Sequence, residues 1–84
     1  HATRVMAAEL GPFGIRVNAI APSVVETRMA DLMDDAVRAK LDARSALKGT
    51  IDPEDVADLV TFLATDRSNK ITGQILRIDR GMLL

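Results

Sequence analysis

The run Val17-Asn18-Ala19-Ile20-Ala21-Pro22-Ser23-Val24-Val25-Glu26-Thr27-Arg28-Met29 carries the clearest chemical signal in the chain. It reads as a buried strand that stops at a proline and opens into a polar loop with a threonine. In parallel α/β proteins ligands sit just past the carboxyl end of a strand. A second group of interest is Asp34, Asp35 and Asp42. Three carboxylates can hold a metal, but at this spacing they read as the solvated face of a helix, and no metal site is expected. Asp52 and Asp55 read as helix-capping residues. The chain has no tyrosine, no cysteine and one histidine. Most of the usual acids, bases and nucleophiles are therefore missing, and no residue is nominated as catalytic.

The elements that would position the loop follow from periodicity. Residues 1–10 predict a helix, with Ala2, Met6 and Leu10 at i, i+4, i+8. No N-cap precedes Ala2, so the helix reads as the back end of a longer one, and His1 as an arbitrary cut. Gly11-Pro12 is expected to stop it. Residues 15–21 are short, β-branched and bounded by Gly and Pro, which predicts a strand. Apolar residues occupy more of it than simple alternation requires, as in a parallel sheet covered on both faces. Pro22 is expected to end the strand, and 22–30 to form the loop.

Residues 31–45 return to helical period through Met33, Val37 and Leu41. Asp34 and Arg38 are spaced to pair at i, i+4. Asp52 then caps a further helix with Pro53 in its first position and Val56, Leu59, Val60 and Leu63 as its apolar stripe. Ile71-Thr72-Gly73 reads as a turn, Gln74–Asp79 as a second strand, and Gly81–Leu84 as an apolar tail. Two strands joined by a long helical crossover are expected to be parallel neighbours. The fold class is thus α/β. Two strands leave two unpaired edges, so residues 1–84 read as one partial domain, or as a chain that pairs with another.

Composition narrows the function classes. The chain has 84 residues, 48% of them hydrophobic and only 2% aromatic, so any core must be aliphatic. A net charge of −1 with interspersed signs gives no basic patch for nucleic acid. No apolar run approaches the ~20 residues that span a bilayer. The lack of cysteine fits a reducing compartment, and a cytoplasmic location is expected.

In order, the strand with Asn18-Ala19-x-x-Pro22, then Thr27 and Met29, then Phe62-Leu63-Ala64-Thr65-Asp66, then Ile71-Thr72-Gly73-Gln74, then Asp79-x-Gly81 resemble the carboxyl-terminal third of the short-chain dehydrogenase/reductase family. The branch they resemble most contains the 3-oxoacyl-acyl-carrier-protein reductases. The resemblance covers essentially the whole chain. It implies the carboxyl-terminal part of a Rossmann-type, doubly wound parallel sheet. It also implies an oxidoreductase that moves a hydride between NAD or NADP and a carbonyl or alcohol substrate. The family's Tyr-x-x-x-Lys would lie just before His1, so the chain alone is expected to be inactive.

In the family the loop reads Asn-x-x-x-Pro-Gly-x-(Val/Ile)-x-Thr. The resemblance assigns cofactor contacts to Pro22, Ser23, Val24, Val25 and Thr27. Val25 falls where backbone meets the nicotinamide carboxamide, and Thr27 where a hydroxyl does. An amide needs a donor and an acceptor, and these supply both. Asn18 matches a residue that ties the loop to the active site. Met29, Leu32 and Met33 fall in residues 28–46, the substrate-entrance segment, which often moves on binding. The family commonly assembles through its last strand, which implies a homo-oligomer.

The chain departs from the family at two positions. Ser23 stands at the usual glycine, where a positive φ would cost on the order of 1 kcal/mol. Arg80 stands at the first of two glycines after Asp79, and the sequence assigns it no role. Three features keep a plainer reading. Thr27 can be a turn or capping hydroxyl, Asn18 can satisfy its own buried amide, and Met82-Leu83-Leu84 can be core rather than a subunit contact. The alternative to an oxidoreductase segment is a non-catalytic interaction or dimerisation module.

Overall fold

Helix α1 (Ala2–Leu10) stops at the expected Gly11-Pro12, with Gly11 as its C-cap. It runs into a 3-10 turn over Gly11–Phe13, and the chain reverses at Gly14, whose φ is 76°. Gly11 itself stays right-handed at φ −53°. Pro12 sits at the start of the short turn, where a missing N–H is harmless. The reversal after the short turn falls on Gly14, the residue that adopts the left-handed conformation glycine favours.

A computed structural model of the chain describes residues 1–23 and 34–82. After α1 come strand β1 (Ala19–Pro22), helix α2 (Asp35–Ala43), helix α3 (Pro53–Ala64), a 3-10 turn over Asp66–Ser68, and strand β2 (Ile75–Ile78). The two strands pair in parallel, with Ala19 opposite Ile75 and Pro22 opposite Ile78. This is the parallel neighbour relation expected from the helical crossover.

The first strand is shorter at its start and longer at its end than 15–21. Before Ala19 its partner is a turn rather than a strand. The Gly73 N–H donates to the Val17 carbonyl at 2.7 Å, and the Val17 N–H to the Thr72 hydroxyl at 3.1 Å. Gly73 has φ 71°, and a Cβ there would touch the Ala7 methyl at 3.4 Å, so α1 packs against this turn.

The cap of α3 follows the sequence closely. The Asp52 N–H donates to Asp55 Oδ2 at 2.8 Å, and Pro53 occupies the first turn. Asp34 caps α2 by accepting the Ala36 N–H at 3.0 Å. The apolar residues are largely uncovered. Ala7 and Ile51 are buried, while Phe13 is 77% and Leu47 69% exposed. Among the described residues, each strand has one unpaired edge.

Candidate functional site

The two strands end level, so their carboxyl ends form one rim. The Ser23 N–H donates to the Ile78 carbonyl at 2.9 Å, which carries the ladder one residue past Pro22. Ala19 also donates toward β2, at 2.9 Å. Alternation then turns the Pro22 nitrogen toward the unpaired edge, where its missing N–H costs the β1–β2 ladder nothing. Pro22 is thus the last strand residue, not the residue that breaks the strand. On the neighbouring strand, Asp79 Oδ1 accepts the Gly81 N–H at 2.9 Å, and the Met82 N–H closes on the Asp79 carbonyl at 3.0 Å. Arg80 and Gly81 make this turn at φ 57° and 69°.

Ser23 is half-buried, and its hydroxyl oxygen is enclosed without a hydrogen-bond partner among the described residues. Buried hydroxyls are normally partnered, so this one is an exception that marks the rim. A cavity of about 480 Å³ adjoins the end of β2, bordered by Thr50, Ile51, Asp55, Arg77, Asp79 and Arg80. A second, of about 560 Å³, lies between β1 and α3 against Ile20, Val60 and Leu63. Arg16 and Asn18 also border it, so it lies along the flank of β1 rather than at the strand ends.

Of the nominated residues, Pro22 and Ser23 stand at the rim. Val24, Val25, Thr27, Met29, Leu32 and Met33 lie outside the described residues. Asn18 is at the other end of the strand, about 13 Å from Pro22 at the usual rise. Its Nδ2 donates to the Ile71 carbonyl at 3.0 Å, and its Oδ1 accepts the Gln74 N–H at 3.1 Å. The side chain thus braces the Ile71–Gln74 turn that starts β2, as the plainer reading of a satisfied amide held. Among the described residues, no group of three or more His, Asp or Glu is gathered to hold a metal ion. No helix there is long and apolar enough to cross a membrane.

Two arginines that the sequence left without a role organise this scaffold. Arg16 Nη2 donates to the Leu63 carbonyl at 2.8 Å, and Nη1 to the Ser68 hydroxyl at 3.0 Å. Longer contacts reach the Thr65 and Ile71 carbonyls, at 3.3 and 3.4 Å. The cation therefore caps the carboxyl end of α3, where the helix dipole favours it. Arg80 Nη1 pairs with Asp42 Oδ1 at 2.8 Å. Its hydrogen bond, together with the charges of Lys48 and Arg80, holds the Asp42 carboxyl below the usual range despite some desolvation. Asp42 is thus a paired residue, where the sequence suggested only a solvated face. A charged residue inside an apolar strand pattern was the one signal for Arg16, since such a group needs partners.

Comparison with known proteins adds a consistent picture. The family model described as enoyl-(acyl carrier protein) reductase matches residues 1–83. The chain is 39% identical over 82 residues to a 3-oxoacyl-[acyl-carrier-protein] reductase of Thermotoga maritima, covering 98% of this chain and 33% of that protein. Among solved structures, a 3-oxoacyl-[acyl-carrier protein] reductase from Brucella melitensis superposes with a TM-score of 0.93 at 34% identity, over 99% of this chain and 31% of that one. A 4-hydroxyisoleucine dehydrogenase complexed with NADH and succinate gives a TM-score of 0.83 at 32% identity, over 95% and 32% of the two chains. The chain spans about a third of the length of the relatives it matches.

Proposed function

Because the chain belongs to the short-chain dehydrogenase/reductase family, we propose that it forms the carboxyl-terminal third of a Rossmann-type oxidoreductase acting on a carbonyl or alcohol substrate with NAD or NADP. The observation that carries this reading is the level rim. It puts Pro22 and Ser23 beside the Asp79–Gly81 turn at the carboxyl ends of two parallel strands, where such sheets take their ligands. The Ser23 hydroxyl, without a partner among the described residues, can both donate and accept, as a carboxamide does. Bound there, nicotinamide would supply or accept the hydride.

In this reading the residues of the chain bind and orient; they do not transfer the proton. Pro22 and Ser23, with Val24, Val25 and Thr27, wall the nicotinamide. Met29, Leu32 and Met33 border the substrate entrance, and Asn18 braces the strand that carries the loop. The chain contains no tyrosine, so the family's Tyr-x-x-x-Lys must come from residues outside these 84. The exposed Ile75 and the open strand edges belong to the same account, as surfaces for further strands or for a second subunit across the last strand. With no cysteine to oxidise, we place the protein in the cytoplasm.

Reading the coding sequence upstream of His1 tests the assignment. It should encode Tyr-x-x-x-Lys, with the lysine a few residues before His1. An upstream frame without that motif would remove the catalytic assignment.

A further inference from the structure

Arg80 sits where a long side chain is disfavoured. Among the described residues it is the non-glycine with a left-handed φ, 57°. Its side chain is nevertheless folded inward, at 14% exposure. Nη1 reaches Asp42 Oδ1 at 2.8 Å and, more weakly, the Leu47 carbonyl at 3.4 Å. The Arg80 carbonyl accepts the Leu47 N–H at 2.8 Å. Lys48 Nζ closes the same knot on the Asp42 and Ser45 carbonyls, at 2.8 and 3.1 Å. Beside it, Gly81 leaves room that a Cβ would fill, 2.9 Å from the Ala46 methyl. Asp42 lies in the last turn of α2, where a carboxylate opposes the helix dipole, and the two cations offset it.

We propose that Arg80 is a positioning residue that latches the carboxyl end of α2 to the turn after β2, and so fixes the described part of the substrate-entrance segment, residues 34–46, beside the ligand rim. The proposal rests on the oxidoreductase reading for the meaning of that segment, but its test does not need a cofactor.

The test is millisecond amide hydrogen exchange, read by mass spectrometry on segments 35–48 and 53–64. Arg80→Gly removes the side chain, suits the left-handed φ and keeps the main-chain bond to Leu47. It should speed exchange in 35–48 by roughly two- to fivefold, the range of a partly exposed, well-aligned ion pair, and leave 53–64 unchanged. Asp42→Asn should do the same, and the double variant no more than either single one. Arg80→Lys, which keeps the charge, should restore part of the protection. Three results would each overturn the latch. These are unchanged exchange in Arg80→Gly, simple additivity of the two substitutions, and exchange of 35–48 at unfolded-chain rates in the unsubstituted protein. Absence of nicotinamide nucleotide binding would remove the functional reading and leave the latch in place.

Discussion

Replacing Arg16 with methionine should loosen the whole chain, because it uncaps α3 and detaches β1 from it in one step. The side chain makes two short contacts, at 2.8 Å to the Leu63 carbonyl and 3.0 Å to the Ser68 hydroxyl. Bonds from a charged donor contribute about 1.5 kcal/mol each at the lower end of their range, which suits a half-buried group. The helix dipole adds about 0.5 kcal/mol. Part of this is recovered, since the Ser68 hydroxyl still donates toward the Leu63 and Thr65 carbonyls, at 3.0 and 3.1 Å. The net expectation for Arg16→Met is a loss of about 2–3 kcal/mol. Arg16→Lys keeps the charge but not the fork and should lose about half as much. Urea unfolding followed by far-UV circular dichroism measures both, and at a slope of about 1–2 kcal/mol per molar the methionine midpoint should fall by about 1–3 M. A methionine variant within about 0.5 kcal/mol of the unsubstituted chain would show that Arg16 merely decorates the surface, and the capping argument would fail.

Gly81→Ala should destabilise by more than the ~1 kcal/mol of a left-handed φ alone, because the new methyl would also meet Ala46; equal urea midpoints would contradict this. Stability should also depend on acid through Asp42. Its folded-state pKa is lowered, first by the Arg80 hydrogen bond, from an ordinary value of 3.8. A lowered carboxyl contributes stability that is fully present above the unfolded value and lost as pH falls through the folded one. Asp42→Asn should therefore flatten the acid limb of the stability–pH curve below about pH 4 and leave its neutral region parallel to that of the unsubstituted chain. An unchanged acid limb would place the dominant carboxylate elsewhere.

Local signals in the sequence were translated faithfully into structure, while distant ones were not. Asp52-Pro53 followed by Asp55 announced the start of α3, because a cap needs only its own first turn. Asp34 caps α2, although periodicity places it inside a helix over 31–45. The first strand differs from its expected bounds at both ends, since its limits depend on a partner more than 50 residues away. Residues 15–18 are flanked by the Thr72–Gly73 turn, and Pro22 can remain in the ladder because its nitrogen faces the unpaired edge. Gly11-Pro12 ends α1 as its residue types announce, but the left-handed reversal comes at Gly14, after a short 3-10 turn. Arg80 was legible only as a departure from a glycine position. Its partner Asp42 is 38 residues earlier, and no helical or strand period connects them.

The central claim is that these residues wall a nicotinamide site once the rest of a Rossmann-type sheet is supplied. A chimera tests it most directly. The 84 residues would replace the matching stretch of the Thermotoga maritima reductase, to which they are 39% identical. Titration with NADH and NADPH, followed by nucleotide fluorescence, is the measurement. The account predicts that the chimera binds at least one of the two saturably. A chimera that folds, with the helical content of its parent, yet binds neither nucleotide would contradict it.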